Sequence, residues 1–166
     1  MLLPFIATVI LGQQARLWPL DWNVVVLAGT NVTVEFPQKT TSIDQSIRGR
    51  DLSDRLLGAR TTHGYTGYVL VYCNLPKDAD PKTFLPAAWD EHVEKMNKGS
   101  VVLSKEFGQW QGKPTLEGSY QLGKKSYYRV RLVISGNLLY QQLAVSGDGA
   151  YDKQVFDRFF NSLKFD

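Results

Sequence analysis

Four runs of alternating apolar and polar residues follow one another between Val101 and Ser146, separated only by short glycine turns. Alternation gives a strand one apolar and one polar face, and short turns force neighbouring strands to pair antiparallel. The runs are Val101–Phe107, Thr115–Leu122, Ser126–Ser135 and Leu138–Ser146. A one-residue slip would flip every side chain, so the apolar pattern selects the register.

A turn at Gly136-Asn137 sets Ile134 against Leu139, Val130 against Leu143 and Tyr128 against Val145. The opposite face then pairs Val133 with Tyr140, Arg131 with Gln142 and Arg129 with Ala144. A loop at Gly123-Lys124-Lys125 aligns Leu116, Tyr120 and Leu122 with the apolar face and Glu117 with Arg131. A turn at Gln111-Gly112 sets Phe107 against Leu116, Leu103 against Tyr120, Val101 against Leu122 and Glu106 against Glu117. The expectation is an apolar wall across four strands. Behind it runs a polar row of Glu106, Glu117, Arg131 and Gln142, with Arg129, Tyr127 and Tyr140 beside it.

The rest of the chain supplies what covers such a wall. Asn23–Leu27 and Val32–Phe36 read as a hairpin around Gly29-Thr30-Asn31, ended by Pro37. Thr40–Arg50 reads as an exposed strand, Asp51–Arg60 as a short helix or a strand, and Tyr65–Asn74 as a strand stopped by Pro76. Pro76–Pro86 reads as a loop. A helix is expected from Pro86, with Trp89, Val93 and Met96 as its stripe and Gly99 as its stop. A second helix is expected from an Asp152 cap to about Asn161, with Val155, Phe156, Phe159, Phe160 and Leu163 on one face. Burying a large residue of either stripe stabilises the fold by ~1.5–3 kcal/mol.

The chain of 166 residues is long enough for one domain. Its formal charge of +3 is too weak a basic balance to argue for nucleic acid. One cysteine excludes an internal disulfide framework. Leu2–Leu11 is an uncharged apolar run, too short to span a bilayer but of the length of a secretory h-region. Residues 1–15 are therefore expected to be a signal peptide and residues 16–166 a single extracytoplasmic domain, periplasmic or secreted, without a membrane span.

The segments VTVEFP (Val32–Pro37), YVLVYCNLP (Tyr68–Pro76) and the stretch Tyr127–Phe165, containing YRVRLVISGNLLYQQLAVSG and FDRFFNSLKF, resemble the PsbP-like superfamily. That group holds a photosystem oxygen-evolving subunit, a Ran-binding import factor and many bacterial secreted or lipid-anchored proteins. The resemblance implies an α+β fold, an α/β/α sandwich in which an antiparallel sheet meander is flanked by helices on both faces. It implies no shared catalytic residues and no cofactor. Pro114 stands where the commonest bacterial pattern has a second glycine, so the hairpin tip around it is expected to differ.

Candidate chemistry is sparse. Glu106 and Glu117 are the best paired carboxylates and carry the alternative reading of a small hydrolase. Arg131 beside Glu117 argues instead for a solvated charge row that pins the register. The same carboxylates offer too few oxygens for Ca²⁺. His63 and His92 have no evident second ligand, and Cys73 reads as a buried structural thiol. Gly147-Asp148-Gly149 reads as a turn, Asn31-Val32-Thr33 matches the glycosylation triplet, and Arg48, Arg50, Arg55 and Arg60 alternate with Asp44, Asp51 and Asp54 as a mixed-sign face. Trp110, at a hairpin tip, either anchors a partner or folds back onto a helix. The expected function is thus a non-enzymatic binding or accessory domain. It meets a protein partner or braces an envelope complex through Tyr127, Arg129, Arg131, Tyr140, Glu117, Gln142 and Trp110.

Overall fold

The computed structural model describes residues 19–46, 55–96, 99–147 and 149–166. The Leu2–Leu11 run, the cleavage site after Ala15, and Arg48, Arg50, Asp51, Asp54 and Asp148 lie outside the described residues, as does the side chain of Met96.

The elements are β1 (Asn23–Val26), β2 (Val32–Phe36), β3 (Thr41–Ser46), β4 (Arg55–His63), β5 (Thr66–Asn74), α1 (Pro81–Met96), β6 (Ser100–Trp110), β7 (Lys113–Leu122), β8 (Ser126–Ser135), β9 (Leu138–Ser146), α2 (Lys153–Asn161) and β10 (Lys164–Phe165). A seven-stranded sheet runs in the order β3-β4-β5-β9-β8-β7-β6, and a three-stranded sheet in the order β1-β2-β10. Every pairing is antiparallel. Among the described residues no helix is long and apolar enough to cross a membrane.

The β7–β8 and β8–β9 registers are those that the apolar pattern selects, including Glu117 opposite Arg131 and Arg131 opposite Gln142. The β6–β7 register agrees from Trp110 back to Ser104 and then departs. A bulge between Val102 and Ser104 sets Val102 against Tyr120 and Ser100 against Leu122. Leu103 is the extra residue, and it is 52% exposed. Tyr120, Leu132 and Leu143 share one core, while Leu103 does not join it. The apolar wall therefore ends at β7.

The central strands of the sheet are buried on both faces. On one, Phe84, Leu85, Ala88 and Trp89 of α1 pack on Val69, Val71, Leu116, Tyr120, Val130, Leu132 and Leu143. On the other, Phe156, Phe159 and Phe160 of α2, with Val32, Val34 and Phe36 of β2, pack on Tyr68, Leu70, Val133, Tyr140 and Ala144. Helices thus flank the sheet on both sides.

Helix α1 begins at Pro81, earlier than Pro86 suggested. Asp80 caps it: its Oδ1 accepts from the backbone N of Lys82 at 3.2 Å, and its carbonyl accepts from the N of Phe84 at 2.8 Å. Pro81 then takes the first helical position, where a missing N–H costs nothing. Pro86 sits inside the helix. The ambiguous Asp51–Arg60 segment is a strand from Arg55 onward, and the short β10 adds to β2. Asp152 caps α2, its side chain accepting from the N of Gln154 and of Val155.

Candidate functional site

Residues of β7 and β8 that face α2 alternate with residues that face α1. Glu117, Ser119, Arg129, Arg131 and Tyr127 are on the α2 side. There α2 turns them from a surface row into a layered network. Three arginine N–H groups occupy Glu117: Nε of Arg129 at 2.8 Å and its Nη2 at 2.6 Å on Oε1, and Nε of Arg131 at 2.7 Å on Oε2. Nη1 of Arg129 reaches Oδ1 of Asp157 on α2 at 2.6 Å, and Lys153 holds the other oxygen of Asp157 at 2.5 Å.

Arg131 lies beneath this network and is 2% exposed. Its Nη1 donates to the carbonyl of Phe160 at 2.5 Å, at the end of α2. The Trp110 ring stacks on its guanidinium at 3.8 Å. Gln142, 0% exposed, donates to the carbonyl of Phe159 at 2.8 Å. Burial pulls the pKa of Arg131 down, against the pull of Glu117. Burial also acts against the charge of Arg129, but Glu117 and Asp157 more than reverse it and its pKa rises. Lys153 first, and Arg129 with it, hold the Asp157 carboxyl below its usual range against the effect of burial.

These contacts divide the seven sequence-derived binding candidates. Arg131, Gln142 and Tyr140 are buried, so no partner reaches them directly. Alternation separates the two faces of a strand; it does not say whether a helix covers the polar one. Trp110 folds back: its Nε1 donates to the carbonyl of Leu163 at 3.1 Å. Gln111 beside it, at φ +51 in the β6–β7 turn, donates to the same carbonyl at 2.8 Å and accepts from the N of Phe165 at 3.1 Å. The hairpin tip is therefore clasped onto the chain around β10 by the Trp110 and Gln111 side chains.

Tyr127, Arg129 and Glu117 remain accessible, and they line one polar cleft of about 430 Å³ with Ser104, Glu106, Gly118, Ser119, Tyr151, Lys153 and Asp157. Its aromatic wall is the Tyr127–Tyr151 pair, with ring centroids 4.2 Å apart. Burial, then a hydrogen bond with Tyr127, pushes the Tyr151 hydroxyl up to about 12. Ser104 and Ser119 join hydroxyls at 2.8 Å across the strands. Glu106, opposite Glu117, is exposed and takes part in none of the ion pairs among the described residues. Tyr151, Lys153 and Asp157 escape the strand pattern because α2 and the residue before its cap deliver them. Their signal in the sequence is the Lys153/Asp157 pair one turn apart, on the side of α2 away from its phenylalanines.

The other candidates stand apart from this cleft. His92 is buried beside Tyr120 and Gln141, Cys73 is buried in the α1-side core, and His63 ends β4. Among the described residues no three His, Cys, Asp or Glu side chains are grouped to hold a metal ion. Asn31 is exposed in the β1–β2 turn, and Arg55 pairs with Asp44 at 2.5 Å on the surface.

No family model matches the sequence, and no curated protein does. Among solved structures, the solution structure of cyanobacterial PsbP (CyanoP) from Synechocystis sp. PCC 6803 matches with a TM-score of 0.60 at 12% identity, over 94% of this chain and 99% of that one. At that identity the likeness is one of architecture, and this chain has a PsbP-like fold.

Proposed function

We propose that this chain is a non-catalytic binding domain that works outside the cytoplasm and meets a protein partner through the cleft between β6–β8 and the first turn of α2. One observation carries the non-catalytic part. The best acid–base pair in the chain is Glu106 and Glu117, and three arginine N–H groups already occupy Glu117. A general acid or base must reach the proton that it moves. Glu117 instead spends its acceptor capacity on tying β7 to β8, and through Arg129 to α2. What else lines the cleft is suited to recognition: a tyrosine pair, two serine hydroxyls that join each other, a lysine paired with Asp157, and in Glu106 a carboxylate without an ion-pair partner among the described residues. The Leu2–Leu11 run supports export, with the mature chain beginning near Arg16.

The test is a turnover screen. The chain and its Glu117→Gln variant are incubated with aryl esters and aryl glycosides over a range of pH. Background rates for both are expected. Turnover by the parent that disappears in a folded Glu117→Gln variant would establish a hydrolase and overturn the reading. Export is read separately from the N-terminal residue of chain recovered outside the cells.

A further inference from the structure

The two edges of the large sheet are unlike. Strand β3, at one edge, is short and polar, TSIDQS, with only Ile43 buried. Strand β6, at the other, has 11 residues, and Val101, Val102, Leu103 and Phe107 are between 46% and 63% exposed. An open edge presents unpaired backbone N–H and C=O groups, and soluble proteins ordinarily blunt it with charge, brevity or cover. Helix α1 covers β7 and β8, and β6 keeps its apolar side chains in water.

Register gives each side chain its face. Val102, Lys105 and Phe107 lie opposite Tyr120, Gly118 and Leu116, on the α1 side. Ser104 and Glu106 lie opposite Ser119 and Glu117 and line the polar cleft. The charges differ as well. Lys105 is matched by Asp90 at 2.5 Å, whereas Glu106 has no ion-pair partner among the described residues. A strand laid along β6 would therefore meet apolar neighbours at Val101–Leu103 and at Phe107, and between them a carboxylate with no ion-pair partner among the described residues.

We infer that β6 is a docking edge for an extended segment of a protein partner, which adds a strand to the open side of the sheet and sets a lysine or arginine against Glu106. This rests on the non-catalytic binding reading and names its occupant. Backbone hydrogen bonds supply the affinity of strand addition, and alternate side chains supply its specificity. A cation opposite Glu106 is the favourable cross-strand choice. A second copy of the chain fits less well. Antiparallel pairing of β6 with its own copy, centred on the strand, sets Lys105 against Lys105 or Glu106 against Glu106. Like charges directly opposite each other are destabilising.

The probe is a short blocked peptide alternating valine and threonine around one central lysine, titrated into the full nitrogen-15-labelled chain. Amide shifts confined to β6 and the adjoining cleft are expected, with weaker binding of the peptide carrying a central glutamate. Methylating alternate peptide nitrogens on the pairing side should abolish binding. Glu106→Gln, a surface change, should reduce the preference for lysine roughly two- to fivefold. Equal affinity for both peptides, shifts away from β6, or binding that survives methylation would overturn the assignment. So would a concentration-dependent dimer whose contacts cross β6, which would give the edge to a second copy. No binding together with background turnover overturns the docking edge alone; turnover that depends on Glu117 overturns the non-catalytic reading.

Discussion

The Nε2 atom of His92 lies 2.8 Å from the hydroxyl oxygen of Tyr120, in the packed space between α1 and the sheet. Gln141 approaches the other ring nitrogen at 3.5 Å, and His92 is 2% exposed. Burial lowers the pKa of His92 from 6.5 to about 4. Between these values the unfolded chain binds a proton that the folded chain refuses. The contribution is thus complete above about pH 6.5, falls as pH drops, and is gone near pH 4, a loss of about 3 kcal/mol. Urea unfolding at pH 7 and near pH 4.5 is expected to show most of that loss in the parent. His92→Gln, which has no titrating group, should flatten this part of the profile; an unchanged slope would contradict the assignment.

Arg131 is expected to matter for stability before it matters for any partner. Its loss strands the Phe160 carbonyl, removes one of the two arginines that hold Glu117, and unstacks Trp110. Arg131→Ala should cost about 3 kcal/mol or more in chemical denaturation and shift the Trp110 fluorescence to the red. Arg131→Lys should recover little, because an ammonium cannot bridge Glu117 and the Phe160 carbonyl while stacking flat on an indole. Near-neutral stability in Arg131→Ala would show that the network is not structural.

Three glycines test how closely the strands and α1 pack. A Cβ at Gly58 would lie 2.7 Å from Cα of Val71, on the backbone of the neighbouring strand. A Cβ at Gly118 would press on the backbone carbonyl oxygen of Ser104 and lie 2.6 Å from Cη2 of the buried Trp89. A Cβ at Gly108 would meet nothing within 4 Å. Thermal unfolding should place the Gly58→Ala and Gly118→Ala variants well below Gly108→Ala. Gly58→Ala and Gly118→Ala should each lose about 3 kcal/mol or more, and Gly108→Ala close to nothing.

Asp152 holds the first turn of α2 through its contacts with the N of Gln154 at 2.9 Å and of Val155 at 3.2 Å. Asp152→Ala should cost about 1 kcal/mol and Asp152→Asn much less. Lys153 opens this turn, Asp157 follows one turn later, and both line the cleft. Amide exchange in this turn, followed by hydrogen–deuterium measurements, should therefore speed up in Asp152→Ala and not in Asp152→Asn.

The meander was legible wherever burial on one face punished a slip. Ile134 opposite Leu139 and Leu116 opposite Leu132 are pairs that alternation alone selects. The same logic failed at Leu103, because no layer covers β6 and nothing there rewards an apolar side chain for facing inward. It failed differently at Arg131 and Gln142. Their polar character was evident, but the helix that covers them comes from the far end of the chain. The start of α1 was hidden by the loop-like composition of Pro76–Pro86, although Asp80-Pro81 is a cap followed by a first-turn proline. Of the cleft, Glu117, Tyr127 and Arg129 could be read from the strands, and Tyr151, Lys153 and Asp157 required the fold.

On β5, β8 and β9, consecutive residues belong to opposite cores: Val130 packs beneath α1, while Arg131 reaches α2. Neither helix therefore owns a sheet of its own. Detaching either one strips half of the side chains from the same central strands, and the other helix loses its footing in the same event. The molecule should consequently melt in a single concerted step, with probes placed on α1 and on α2 reporting one midpoint.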